Sequence, residues 1–288
     1  MQVFQDAQGR LRNGWRILGF LVLFLFAALV AGLLAHLRPR ALQAYLPGQW
    51  FTALAVLAAT WIALVVEGDS WASLGLRLDR RFAGDLLLGV LGGTAILLAA
   101  AGLVAATGGV RWHLTPDLSP AFLLREAWFY LGVAVMEEAL FRGYPFQRAV
   151  QGLGFGWAQA AFAAGFALVH WGNPGMAGAT RGWASLNIAL AALLLGLCWR
   201  RTGSLALPIG VHLGWNWTQG SLLGFGVSGV ASRGWWTPEF QGRPAWWTGG
   251  AFGPEAGLAC TVACGAAILL LARWRGRVSG GASTASGS

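Results

Sequence analysis

Apolar residues along this chain gather into long runs punctuated by Gly, Pro or Arg. Eight runs can be marked, at about 15–36, 49–66, 84–106, 121–141, 156–171, 183–199, 205–221 and 254–272. Each is close to the ~20 residues a helix needs to cross a hydrocarbon core of about 30 Å. The pattern predicts an all-α, polytopic transmembrane helix bundle of about eight spans, built as one domain over 1–275. The Gly/Ser-rich stretch 276–288 is expected to be a disordered tail. No internal repeat or soluble domain is visible. The first run follows Arg10, Arg12 and Arg16 in the manner of a signal peptide. Its apolar stretch exceeds the usual ~7–15 residues, so a retained first helix is expected.

Composition supports a membrane solvent: 56% of the 288 residues are hydrophobic and 11% charged, where soluble domains carry about 25%. The formal net charge of +9 does not point to nucleic acid, because the arginines sit in the short segments between runs and form no single basic face. Their pattern is topological. With eight spans, one side collects Arg10, Arg12, Arg16, Arg77, Arg80, Arg81, Arg142, Arg148, Arg200, Arg201, Arg273, Arg275 and Arg277. The other has Arg38, Arg40, Arg111, Arg125, Arg181, Arg233 and Arg243, so the count is 13 against 7. The positive-inside rule then places both termini in the cytoplasm of an integral membrane protein in contact with lipid.

Cys198, Cys260 and Cys264 fall within apolar runs, where a thiol behaves as a small hydrophobe; they form neither a disulfide framework nor a zinc knuckle. The segment 221–253 is rich in Gly and carries Trp235, Trp236, Trp246 and Trp247, while Pro238 and Pro244 prevent a long helix. Two readings stand: a loop resting among headgroups, or a lid that touches substrate.

The fourth run contains Glu137 and Glu138 side by side, followed by Arg142. Ionisable groups in a span are functional candidates by default, against the bland reading that the span ends at Met136 and the charges are solvated. His170 closes the fifth run, and His212 lies inside the seventh, four residues before Asn216. His36 and His113 sit where surface roles are expected. Glu138 and Arg142 share a helix face and are placed to neutralise each other. Glu137, rotated by about 100°, can point into the bundle. His212 and Asn216 also share a face. The turn between the fourth and fifth spans is expected at Gly152–Gly156, with the helix of Glu137 continuing past Arg142. About 15 residues on each side of that turn then return His170 to the level of Glu137, a kink at Pro145 aside.

A carboxylate, two imidazoles and an amide in a protected cavity suit hydrolysis of an amide, with a general base for water and donors for the oxyanion. No covalent nucleophile stands out: Ser185 and Ser204 have no His or acid nearby in the chain, and no HExxH helix is present. Glu137, His170 and His212 can also be read as ligands of Zn²⁺ with one position open for water. Rival readings are an ion- or proton-coupled transporter using the same charges, and a catalytically silent membrane scaffold or immunity protein.

These residues resemble the CAAX-protease and bacteriocin-processing family of intramembrane proteases, which includes the eukaryotic CAAX prenyl endopeptidase. The EExxxR motif is matched by Glu137, Glu138 and Arg142, FxxxH by Phe166 and His170, and HxxxN by His212 and Asn216, over a catalytic core of about 120–220. The resemblance implies an eight-helix bundle with a cavity open toward the cytosol. In it Glu137 and His170 activate water, His212 and Asn216 stabilise the oxyanion, and Glu138, Arg142 and Phe166 support the site. The family is often labelled metalloprotease, and a metal-free mechanism is also argued for it. A bacterial cytoplasmic membrane is the expected location and a peptide or membrane protein the expected substrate. Some relatives are tied to bacteriocin immunity or maturation.

Overall fold

Helices form where the apolar runs lie. They are α1 (Asn13–Leu37), α2 (Gly48–Glu67), α3 (Arg80–Ala106), α4 (Pro120–Phe141), α5 (Tyr144–Val169), α6 (Gly178–Thr202), α7 (Ala206–Asn216), the single turn α8 (Ala245–Thr248) and α9 (Leu258–Arg273). A computed structural model describes residues 3–6, 8–43 and 45–276. Apart from Gly276, the expected tail at 276–288 lies outside the described residues, as does Arg277.

Five helical segments among the described residues are long and apolar enough to cross a membrane: Asn13–Leu37, Gly48–Glu67, Arg80–Ala106, Pro120–Gly172 and Gly178–Thr202. The chain is therefore a helical integral-membrane protein with several spans, and the number meeting that standard is five rather than eight. The shortfall has two physical causes. The fourth and fifth runs form one long segment interrupted by breaks, and the last two runs make short helices. α7 has 11 residues before it passes into a π-helical turn at Trp217–Leu222, and α9 has 16.

The helix carrying Glu137 does not continue past Arg142 toward Gly152, as the scarcity of Gly and Pro between Arg142 and Val150 suggests; it stops at Phe141. Pro145 has no N–H to offer the Phe141 carbonyl, so the ladder cannot pass that point. Gly143 accepts the break, since a Cβ there would lie 2.2 Å from the Ala139 carbonyl oxygen. Pro145 then sits in the first turn of α5, where its missing donor is harmless. Farther on, α5 breaks at Gly154 (φ 77°, ψ 161°), inside the Gly152–Gly156 stretch marked as a turn.

The tightest packing is between α3 and α7. A Cβ on Gly89 or Gly93 would fall 2.4 Å from the Leu207 carbonyl oxygen or 2.0 Å from that of Val211. One on Gly210 or Gly214 would fall 2.2 Å or 2.1 Å from the Leu86 or Val90 carbonyl oxygen. Two small-xxx-small faces thus bring the backbones together, the common solution where lipid supplies no hydrophobic drive between helices. At about 100° per residue, His212 points roughly 200° away from both Gly210 and Gly214. Seating the glycine face of α7 on α3 therefore turns His212 toward α4. On the outer side of the bundle, α1 leaves Leu25, Phe26 and Leu29 exposed at 66%, 70% and 74%, a face suited to lipid.

A polar knot ties three helices at one end: Glu67 of α2 accepts from Arg16 of α1 at 2.6 Å, from Arg148 of α5 at 2.6 Å and from the Tyr144 hydroxyl. At the other end the structure adds what the all-helical expectation lacks, an antiparallel ribbon of β1 (Val110–Leu114) and β2 (Trp236–Phe240), with Val110 opposite Phe240 and Leu114 opposite Trp236. Pro238 is tolerated because each strand of a two-stranded ribbon has one unpaired edge. Trp112 donates from Nε1 to the Leu223 carbonyl at 3.0 Å, and Trp247 to Thr107 Oγ1 at 2.8 Å, anchoring the Trp-rich segment to the end of α3 and to β1.

Candidate active site

Glu138 is fully buried, and its Oε1 accepts two hydrogen bonds, from Arg142 Nη1 at 3.0 Å and from His212 Nδ1 at 2.8 Å. Arg142, 2% exposed, is further satisfied by donating from Nη2 to the Ala192 carbonyl of α6 at 3.1 Å. Its guanidinium also stacks over the Phe166 ring, 4.9 Å from the centroid. A buried ion pair is tolerable only with such extra partners. The EExxxR spacing, two residues on one face a turn apart, is what allows the pair to close.

Donation of Nδ1–H to a carboxylate fixes the tautomer and ring plane of His212. Its Nε2 then faces Glu137, whose Oε2 lies 3.6 Å away. That is too long for a hydrogen bond, so the two groups face each other without being bonded. Glu137 is the more accessible of the paired acids, its side chain 19% exposed against 0% for Glu138. His170 caps α5 and opens a 3₁₀ turn, His170–Gly172. Its Nδ1 donates to the Phe166 carbonyl at 2.6 Å, leaving Nε2 as the ring's acceptor. Phe166 is the common wall, packed edge-on against His170 at 4.7 Å and against His212 at 6.5 Å.

Glu137, His170, His212 and Asn216 all line one cavity of about 890 Å³, together with Phe166. The direct neighbour of Glu137 is His212; His170 shares the chamber. Glu138 and Arg142 stand behind its wall. Cys260 and Cys264 are both buried in α9 with sulfurs 4.0 Å apart, and Cys260 also faces the cavity. Ser185 is occupied by Trp171 Nε1 at 3.0 Å, and Ser204 Oγ donates to the Gly75 carbonyl at 3.1 Å. His113 pairs with Glu239 at 2.7 Å on the exposed ribbon.

The zinc reading of Glu137, His170 and His212 does not fit this arrangement. No group of three or more His, Cys, Asp or Glu among the described residues is arranged to hold a metal ion.

Three acids outside the motifs line the chamber, Asp117, Glu126 and Glu255, and the last is buried. Glu255, buried in the turn before α9, lines the cavity. It accepts from Gln219 Nε2 at 3.0 Å, from Ser228 N at 2.5 Å and from Ser228 Oγ at 3.1 Å. Gln219 in turn accepts from Trp215 Nε1 at 2.7 Å, and the Ser228 carbonyl accepts from Asn173 Nδ2 at 2.9 Å. Glu255 thus links α7 to the turn that follows His170. Ser228 holds a left-handed φ of 49°, unusual for a residue with a side chain, and these contacts keep it there. The available signal was its charge at the start of an apolar run in a chain with only 11 acids.

Residues 119–218, about a third of the chain, match the family described as type II CAAX prenyl endopeptidase Rce1-like. The match spans all three motifs. No curated protein matches the chain.

Proposed function

We propose that the protein is an intramembrane endopeptidase that hydrolyses a peptide bond of a membrane-associated protein or peptide. The observation that carries this reading is the chain Arg142–Glu138–His212, which ends 3.6 Å from Glu137 in a chamber shared with His170 and Asn216. Glu137 serves as general base, taking a proton from a water that also hydrogen-bonds His170 Nε2. The resulting hydroxide attacks the carbonyl carbon. The oxyanion is met by the amide of Asn216 and, when the ring is protonated, by His212 Nε2–H. The proton held by Glu137 passes to the amide nitrogen, the C–N bond breaks, and a carboxylic acid and an amine form, which leave as carboxylate and ammonium once the acid's proton passes to the amine. Oxyanion donors held in place before the reaction are the largest expected contribution. Glu138 and Arg142 act behind them by holding the His212 ring.

In this reading the whole of 1–275 is one membrane domain, the shorter α7 and α9 also lie within the bilayer, and both termini face the cytoplasm. The family match and the buried Glu/His cluster favour a protease over a transporter. The test is peptide release from a membrane proteome by detergent-purified protein, wild type against Glu137→Ala, with and without chelator. Cleavage confined to the wild type and unaffected by chelator is expected. Equal products from both proteins would refute the assignment and leave a catalytically silent scaffold.

A further inference from the structure

His170 and Asn216 both stand at helix ends. His170 closes α5 and is followed by one 3₁₀ turn and a connection in which Trp171, Gly172, Pro174 and Gly175 are exposed. Asn216 closes α7, which passes directly into the π-helical turn Trp217–Leu222. The His170 ring is bonded to its own helix through the Phe166 carbonyl. Among the described residues no hydrogen bond of that ring reaches α7. The separation of His170 from Asn216 therefore depends on what holds the two helix ends together.

Glu255 does so, from outside residues 119–218, the stretch that matches the family. Its backbone is fixed to α6. Asn187 Nδ2 donates to the Glu255 carbonyl at 2.9 Å and to the Gly257 carbonyl at 3.0 Å, and Asn187 Oδ1 accepts from Thr261 Oγ1 at 2.7 Å. From that post a single carboxylate oxygen, Oε2, reaches both helix ends, accepting from Gln219 Nε2 and from Ser228 N.

On the α7 side, Gln219 also donates to the Gly226 carbonyl at 2.7 Å and accepts from Trp215, the neighbour of Asn216. On the α5 side, the Ser228 carbonyl accepts from Asn173 Nδ2, and Asn173 N donates to the His170 carbonyl at 3.0 Å. Packing repeats the link: a Cβ on Gly229 would lie 2.0 Å from the Pro174 carbonyl oxygen, so the segment after Ser228 is pressed onto the turn that follows His170.

We propose that Glu255 is a positioning residue for the reaction, holding the end of α5 that carries His170 against the end of α7 that carries Asn216. The water that His170 orders and the oxyanion that Asn216 meets belong to one transition state. A shift of one helix end relative to the other therefore slows the chemical step more than it weakens substrate binding. The catalytic role rests on the proteolytic reading above; the mechanical link between the helix ends does not.

Two measurements on the full-length protein in detergent separate these claims. Amide hydrogen exchange needs no substrate. Glu255→Ala and Asn173→Ala should each speed exchange in 170–176 at least tenfold, with α2 unchanged, and unchanged exchange there in both variants would overturn the link. Turnover is measured on the peptide that the wild type releases in the proteome experiment, remade with a fluorophore and a quencher. Glu255→Ala should lower kcat per folded molecule at least tenfold with KM within about threefold. Glu255→Gln, which keeps one acceptor oxygen, should recover to within about fivefold of wild type. The double variant Asn173→Ala/Glu255→Ala should lose no more than Glu255→Ala alone, because both changes cut one path. A raised KM with unchanged kcat, no recovery in Glu255→Gln, or additive losses in the double variant would overturn the positioning role. Faster exchange with no cleavage by any of the proteins, wild type included, would refute the protease reading and with it the catalytic role, and leave the link standing.

Discussion

Removing Glu138 tests the energetics of the site most directly. The Glu138–Arg142 pair is 3.0 Å apart with both side chains essentially out of solvent. At an effective dielectric constant of about 20 its attraction is about 5.5 kcal/mol. Much of that offsets desolvation, so the pair's net contribution is small, whereas losing one partner strands a buried charge and costs about 3–5 kcal/mol. Glu138→Ala should therefore destabilise by about 3–5 kcal/mol, and Arg142→Ala by a similar amount. The double variant Glu138→Leu/Arg142→Met removes both charges and fills part of the space. Because neither charge is then left buried without its partner, it should cost much less than the sum of the two single effects. Reversible unfolding in mixed micelles, followed by the fluorescence of the 17 tryptophans, gives all three values. Glu138→Ala and the double variant should lack proteolysis, because His212 Nδ1 loses the acceptor that orients the ring, whereas Arg142→Ala keeps that acceptor. Additive single effects, or a Glu138→Ala protein within about 1 kcal/mol of wild type, would refute this account of the pair.

Glu137→Ala and His170→Ala should each lower turnover by about 10²–10⁴ with little change in unfolding free energy; a loss of fold in either would assign the residue a structural role. Gly210→Ala places a Cβ 2.2 Å from the Leu86 oxygen where ordinary contact begins at 3.4 Å, so α7 must shift by about 1.2 Å. Overpacking of this kind costs about 1–3 kcal/mol, and unchanged stability and activity would show that α3 and α7 have slack. Glu255→Ala removes the acceptor for Gln219 and both Ser228 donors, at ~1.5–3 kcal/mol for a bond to a charged group. The segment 224–235 should then be cut faster by an added protease, with Glu255→Gln intermediate; equal cutting rates in all three proteins would refute its anchoring role.

The motif acids and imidazoles were conspicuous in the sequence because charge inside an apolar run is expensive and therefore rare. Glu255 was not, because it stands beside Pro254 at the margin of a run, where a carboxylate reads equally well as a headgroup contact. The ribbon was hidden for a different reason. Val110 and Phe240 are far apart in the chain, and no local pattern records their pairing. The helix break after Phe141 was written in Pro145, but a lone proline reads equally well as a kink within one continuing helix until the backbone path is known.

Composition and the spacing of polar groups sufficed for a helical membrane protein with charges on three of its spans, since both follow from the cost of exposing polar backbone and charge to hydrocarbon. The pairing of Gly89 and Gly93 with Gly210 and Gly214, which turns His212 toward Glu138, was beyond their reach. So were the choice of His212 rather than His170 as the direct neighbour of Glu137 and the recruitment of Glu255. These depend on which helix faces which, and that is set by backbone contacts between segments remote in the chain, where only the assembled packing distinguishes one arrangement from another.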